Sequence, residues 1–539
     1  MLESSLKIGA LDATIIVAYM IGIIFVGVWS SRRQGTTTAG YFLAGRKLHW
    51  PMIGMALFAT NISTVHLLGL AADSYRVGLV VGNFEWMAIF FLILLGLVFA
   101  PFYFRNKIST LPEYLERRFG LGSRMFLAFM AVVGALFIHI GMSLFAGAKL
   151  MEQFFDMPIQ SSIIVIAAAT ALYTVLGGLK AVVVTESIQT ILLLVGSLAI
   201  TWFGLVALRD RGIDSYSEFL AAAQPNQMSM VRSEGAFPWY HMLAGYPVLA
   251  IWYWCADQTI VQRVLGAETQ RDAQLGPLFA GFLKVLPVFC MCLPGVMAYV
   301  LFQDLIGDDP NQALPVLIDQ LIPSGLKGLI AAAMLAAVMS TVAGALNSAA
   351  TLVSIDLIKN LHPAAGDRTL VLSGRVTACV VMLLAIMWST QGDRFESVFT
   401  GINAMIACLA PPISVVFLWG VFWPRGTRQG SLATLITGFV LGALVFTFDF
   451  PLVGEEKVFT DALGIPFMLQ AWWLFVICTV VFFTVSLLTP APSSEQTKEL
   501  CWPNPFAVIT SGQITGLTDP RIVAAVLLAV TITLYWVFA

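Results

Sequence analysis

Residues 55–70 read Met-Ala-Leu-Phe-Ala-Thr-Asn-Ile-Ser-Thr-Val-His-Leu-Leu-Gly-Leu. The stretch lies inside an apolar run long enough to cross a bilayer, yet Thr60, Asn61, Ser63 and Thr64 fall near its midpoint. Hydrocarbon offers no hydrogen-bond partners, so a spanning segment has to satisfy its polar groups within the protein. An anchoring helix gains nothing from four polar side chains at its centre. A helix that opens there gains carbonyls and hydroxyls to turn toward an ion or a solute.

The rest of the chain fits that reading. Of 539 residues, 58% are hydrophobic and 11% charged, against about 25% charged in a soluble domain. This predicts an all-α integral membrane protein. Runs of roughly 18 or more apolar residues mark spans, and fourteen are expected: 11–30, 50–72, 78–104, 125–154, 159–177, 181–208, 241–262, 276–302, 328–358, 370–389, 397–423, 430–448, 467–488 and 522–539. Only Gly-Gly-Leu-Lys separates the fifth from the sixth. The first run is followed by Ser-Arg-Arg, not by a small-residue cleavage site, so it reads as a retained span.

Six of the seven cysteines lie in apolar runs, where a thiol behaves as a small hydrophobe. Neither a disulfide framework nor a metal-binding spacing is expected. The net charge of −2 gives no hint of nucleic acid.

Lys and Arg in the loops set orientation. With the N-terminus outside, 19 of the 29 basic residues fall in inward loops, nine face outward, and Lys284 lies within a span. Fourteen spans then leave both ends outside. Short loops and no N-x-S/T sequon in an outward loop fit a multi-pass protein of a bacterial inner membrane. No loop is long enough for a separate catalytic domain. Residues 490–521 read as a Pro/Ser-rich linker.

A second polar notch lies in the ninth span. Ala337, Ser340 and Thr341 stand at i, i+3 and i+4, on one helix face. Their two hydroxyls and one carbonyl, with the carbonyls of Ala59 and Ile62 from the opened helix, make five oxygens. That set suits a small hard monovalent cation, and having no carboxylate suits an ion that must leave again. Intramembrane ionisable residues cost roughly 2.5–3.5 kcal/mol each and usually mark a pathway. Here they are His66, Glu85, His139, Glu186, Asp257 and Lys284. Glu85 precedes Trp86, and Tyr253-Trp254 precede Asp257. Carboxylate, imidazole and ammonium groups read hydroxyls, while aromatic faces take the C–H faces of a sugar or polyol. No Walker motif, HExxH or nucleophile elbow stands in a convincing setting, so neither ATP-driven transport nor an enzyme is expected.

At these residues the chain resembles the sodium/solute symporter family, and within it the sodium/glucose cotransporters. The matches are Tyr41-Phe-Leu-Ala-Gly45, Ala59-Thr-Asn-Ile-Ser63, Glu85-Trp86, Gly177-Gly-Leu-Lys-Ala-Val-Val-Val-Thr185, Trp252-Tyr-Trp-Cys-Ala-Asp-Gln258, Val261-Gln-Arg263, Leu346-Asn-Ser348 and Val416-Phe-Leu-Trp-Gly-Val-Phe-Trp423. The resemblance implies a LeuT-like core of two inverted five-helix repeats, with one helix before it and three after. The divisions expected are 1–49, a first repeat at 50–208, an outer loop at 209–240, a second repeat at 241–423, and peripheral helices at 424–539.

The resemblance also implies a sodium site at Ala59, Ile62, Ala337, Ser340 and Thr341. Solute contacts are implied at Asn61, His66, Glu85, Lys284 and Asn403, with Tyr253 and Trp254 as an inner aromatic gate. Leu70, Phe84 and Phe399 match an outer hydrophobic gate. Asn403 stands where sugar carriers usually have Gln, Phe84 replaces a gate Tyr, and Ala343 and Gly344 follow Thr341 where members with a second sodium site carry hydroxyls. One sodium per sugar is therefore expected, with inositol-like polyols, carboxylates and amino acids left open as cargo. A monomer suffices for such a mechanism.

Overall fold

The computed structural model describes residues 9–31, 37–392, 398–449, 457–502, 507, 514 and 516–539. Among the described residues the chain is helical, with a single isolated bridge between Leu48 and Ala267 in place of any sheet. Eleven helices are long and apolar enough to cross a membrane, and a bent pair, Trp50–Asn61 with His66–Val77, passes the same test as a broken span.

The centre of the bundle is the helix Leu326–Leu361, almost wholly buried. Small residues let its neighbours approach: its Ala331-Ala-Ala333 and Ala336-Ala337 lie fully or nearly buried. The outermost helices show the opposite pattern. Ala10–Ser30, Arg428–Asp449, Phe467–Leu488 and Pro520–Val537 keep most of their apolar residues outward, with Phe25, Trp29, Val480 and Trp536 exposed. In a bilayer that exposure faces lipid and costs nothing.

The fifth and sixth expected spans form one hydrogen-bonded helix, Ile159–Asp210, of 52 residues. At 1.5 Å per residue it is roughly 78 Å long, more than twice the hydrocarbon thickness of about 30 Å. It turns at Gly178, whose φ of 58° and ψ of −160° are non-helical. The Tyr41-containing motif has its physical role here: Tyr41 donates its hydroxyl to the Val175 carbonyl at 2.8 Å, and the carbonyl of Tyr41 lies 2.4 Å from where a Cβ on Gly178 would be.

Several segments expected as loops are ordered helix. Leu111–Phe119 is amphipathic, and two basic residues near it, counted above as loop charges, are buried. Arg118 donates to the carbonyls of Gly420, Trp423, Pro424 and Gly426, capping the helix Val398–Phe422. Arg124 pairs with Asp356 at 2.7 Å and with Glu116. In the first span, Asp12 accepts from the backbone N–H groups of Gly325 and Gly328, both at 2.7 Å. It caps the central helix, whose first N–H groups would otherwise be unpaired inside the protein.

Candidate functional site

Two broken helices make the site. The helix Trp50–Asn61 ends at Ile62 (φ −75°, ψ 102°), and Thr64–Val77 begins after Ser63, with a 59° bend between the two. The sequence supplies its own cap in place of a glycine or proline. The Ser63 N–H donates to Nδ1 of His66 at 3.2 Å in a capping box. A neutral imidazole that accepts at Nδ1 carries its hydrogen on Nε2, and that nitrogen stands 3.8 Å from Glu85 Oε1.

The second break is in the seventh expected span. Trp239–Ala250 runs into a π-helical turn, Ile251–Ala256, then Asp257 adopts an extended backbone (φ −85°, ψ 122°) before Gln258–Leu265. Asp257 Oδ1 caps that last helix by accepting from the Thr259 N–H at 2.9 Å. Its Oδ2 lies 2.8 Å from Nε2 of His139. Widened π turns occur often at functional sites, and this one carries Tyr253 and Trp254.

The opened helix meets the central helix where the two notches face each other. Ser340 Oγ donates to the carbonyl of Ala59 at 2.7 Å, and Thr341 Oγ1 to that of Thr60 at 2.9 Å. The Thr60 carbonyl was not among the five oxygens expected from the sequence. The carbonyl of Ile62 meets no hydrogen-bond donor among the described residues, although the residue is fully buried. Each hydroxyl also lies 3.0–3.2 Å from the carbonyl of Ala337. It can turn its hydrogen back onto its own helix and leave a lone pair facing the break. The set is oxygen-only, uncharged and buried, which fits a hard monovalent cation.

Beside this junction lies a cavity of about 110 Å³. Asn61, His66, Glu85, Tyr253, Trp254 and Asn403 all line it, as does Thr341, which joins the cavity to the cation ligands. Asn61 Nδ2 donates to the Tyr253 hydroxyl at 3.1 Å, tying one break to the other, while its Oδ1 is buried without a partner. Lys284 sits behind the cavity wall. Its Nζ is 2.5 Å from Glu85 Oε2 and 5.6 Å from the Trp254 ring centre. Among the gate residues, Phe84 lines the cavity and packs edge-on against Phe237 and Tyr246. Leu70 is fully buried and does not line it. The side chain of Phe399 lies outside the described residues.

Arg263 and Glu186 form a fully buried pair within 3.2 Å (Nε to Oε2), and Glu186 Oε1 also accepts from Thr60 Oγ1 at 2.7 Å. The guanidinium fills the space beside Gly344: a Cβ there would lie 2.3 Å from Nη2.

The sequence reading left out His139, Ser143 and Tyr246 as lining residues. His139 did stand out as an ionisable residue inside a span. Ser143 lies one turn further along the same chain segment. Nothing in the one-dimensional pattern singles out Tyr246, whose hydroxyl donates to the Phe84 carbonyl at 2.7 Å.

A family model for the sodium:solute symporter family matches residues 41–438. The sodium/myo-inositol cotransporter 2 of Homo sapiens is 34% identical over 534 residues, covering 91% of this chain and 78% of its own. The sodium/glucose cotransporter 1 of Ovis aries is 32% identical over 538 residues, covering 92% and 81%. Among solved structures, a Na⁺-coupled sialic acid symporter superposes with a TM-score of 0.77 at 19% identity, over 90% of this chain and 99% of that one. Mhp1, a nucleobase-cation-symport-1 family transporter, gives 0.54 at 16% identity, over 85% and 97%.

The chain is therefore a sodium-coupled membrane transporter, not an enzyme. It belongs to the sodium:solute symporter family.

Proposed function

We propose that this symporter imports a monosaccharide or an inositol-like polyol with one sodium ion per solute. The observation that carries this reading is the junction of Ser340 and Thr341 with the freed carbonyls of Ala59 and Thr60, opening directly onto a cavity lined by hydroxyl-reading groups and aromatic faces. The curated relatives move glucose or myo-inositol by name. Lys284 is already neutralised by Glu85, which leaves that ammonium unsuited to holding a carboxylate solute.

Sodium binds at Ala59, Ile62, Ala337, Ser340 and Thr341 and draws the broken helix against the central helix. This organises Asn61 and His66 for the solute. Tyr253 bonded to Asn61 closes the inner side, and Leu70, Phe84 and Phe399 close the outer. Each ligand acts through its differential affinity for the two states. One sodium falling through a tenfold gradient yields about 1.4 kcal/mol, and a potential of about 100 mV adds roughly 2.3 kcal/mol. Together these sustain a solute gradient of several hundredfold. Ala343 and Gly344 offer no hydroxyl to a second cation, and the Arg263 guanidinium packs against Gly344, which supports a single sodium.

This reading keeps fourteen spans, with Ile159–Asp210 as two of them and the pair of helices around Asp257 as another. Residues 50–208 and 241–423 are the inverted repeats, each opening on a broken helix, and both termini face outward. The test is sodium-dependent uptake of D-glucose and myo-inositol into proteoliposomes. Uptake of neither solute in a sodium gradient overturns the substrate class. Uptake with unchanged sodium dependence in both Ser340→Ala and Thr341→Ala overturns the cation site.

A further inference from the structure

Polar groups and aromatic rings both line the cavity, and contacts between the rings link two of the polar groups. Glu85 and His66 form one polar group of the lining, backed by Lys284. Lys284 contacts Trp254, Trp254 packs on Tyr253 at 5.1 Å, and Tyr253 in turn packs on His139 at 6.0 Å. Along this run of contacts His139 is separated from Lys284 by both rings, and it too lines the cavity. Ser143 lines the cavity as well.

The chemistry of His139 follows from its partner. An ionised carboxylate only accepts hydrogen bonds, so Nε2, 2.8 Å from Asp257 Oδ2, carries the ring hydrogen. Asp257 is itself fixed by capping the helix Gln258–Leu265. The ring stacks on Trp252, 6.2 Å between centroids and 20° between planes, so it cannot swing freely. Among the described residues Nδ1 meets no hydrogen-bond partner, and the ring lines the cavity. In the neutral ring that nitrogen is a bare lone pair. His66 has the opposite polarity: its Nδ1 is consumed by Ser63, leaving an N–H on Nε2 toward Glu85. One imidazole offers a donor and the other an acceptor.

We propose that His139 is a solute-binding residue which takes a hydroxyl hydrogen on Nδ1, so that the carrier reads its solute at two polar groups of the lining, linked through the Tyr253–Trp254 rings. The inference rests on the sugar-or-polyol reading given above. It assigns a specificity to this chain's own residues: a solute with hydroxyls on two edges of its ring is preferred, and one lacking the hydroxyl that meets His139 is rejected. An acceptor held without a hydrogen of its own also selects against a solute that presents a carboxylate at that edge.

The experiment is uptake of D-glucose, each of its monodeoxy analogues, and myo-inositol by the full chain in proteoliposomes, comparing wild type with His139→Gln and His139→Asn. Gln reaches the position of Nε2 and keeps a donor for Asp257 while withdrawing the Nδ1 acceptor. Asn places an amide oxygen near Nδ1. In wild type, removing one particular hydroxyl is expected to raise KM about tenfold, the size of one lost hydrogen bond. In His139→Gln the KM of the parent sugar rises to that same value and the deoxy analogue loses nothing further, while half-saturation by sodium is unchanged. His139→Asn restores part of the discrimination.

If His139→Gln weakens every analogue by the same factor, or changes only Vmax, His139 is a structural partner of Asp257 and the proposal falls. If wild type moves neither glucose nor myo-inositol with sodium, the underlying substrate reading fails before any variant is compared, and this proposal falls with it.

Discussion

Ser340 reaches across from the central helix to the carbonyl of Ala59, 2.7 Å away, at the point where the helix Trp50–Asn61 stops. Removing the hydroxyl removes both that tie and one of the oxygens offered to sodium. Ser340→Ala is expected to raise the sodium concentration for half-maximal uptake by tenfold or more, since a buried hydrogen bond and a ligand are lost together. The solute KM at saturating sodium should move much less. Sodium titrations of uptake at fixed solute check this, and an unchanged half-saturation would show that the hydroxyl only glues helices.

The pair Lys284–Glu85 is buried on both sides, with each side chain about 1% exposed. Removing one partner leaves an uncompensated charge, a change worth about 3–5 kcal/mol. Lys284→Met should therefore lower thermal stability sharply and abolish uptake. The double variant Lys284→Met with Glu85→Gln should recover most of the stability and none of the transport, because the groups that read the solute are gone. Thermal unfolding in detergent, measured beside uptake, separates the two effects. A double variant no more stable than the single one would show that the pair is not the source of the loss.

The broken helix was legible in the sequence because hydrocarbon gives clustered polar side chains no partners, so such a cluster in mid-span points to a place where the backbone opens. Ala337, Ser340 and Thr341 could be grouped from their i, i+3, i+4 spacing, and Ala59 from its place where the helix opens. The partner of Thr341 could not be named: whether it meets the carbonyl of Thr60 or Ile62 depends on the angle at which the chain leaves the helix, and no residue type encodes that angle. His139 escaped assignment because a histidine in a span looks the same whether its free nitrogen faces a neighbour or a cavity. Arg118 and Arg124 were read as loop charges because hydropathy registers their charge and not their burial, which is provided by helix ends and carboxylates distant in sequence.

Gly344 backs directly onto Arg263, with Nη2 only 2.3 Å from where a Cβ would sit and Thr60 Cγ2 at 3.1 Å. Gly344→Ala must push the guanidinium away from Glu186, and Glu186 holds Thr60 of the broken helix at 2.7 Å. The expected result is weaker sodium binding at a distance from the ligands, with lower stability. Arg263→Leu should be worse than Gly344→Ala, because it leaves Glu186 buried and unpaired. Combining Arg263→Leu with Glu186→Leu should restore folding. Expression and thermal unfolding rank the three, and equal stability in all of them would remove the ion pair from the account of how the break is held.

Gly178 carries the turn inside the longest helix, at φ 58° and ψ −160°. An L-residue is excluded there twice over. The backbone conformation is close to the region only glycine occupies, at about 1–3 kcal/mol for any other residue, and an added methyl would sit 2.4 Å from the Tyr41 carbonyl. Because the clash is with backbone, no rotamer change relieves it. Gly178→Ala should therefore straighten or unpack the junction between Ile159–Asp210 and the short helix Thr38–Leu43, lowering thermal stability by several degrees and cutting uptake. Tyr41→Phe tests the same junction more gently, since it keeps the ring and deletes the hydroxyl that makes the 2.8 Å bond to Val175, and should cost about 1 kcal/mol. If Gly178→Ala is as stable as wild type, then 52 residues of helix continue without the turn, and the reading of two spans is wrong.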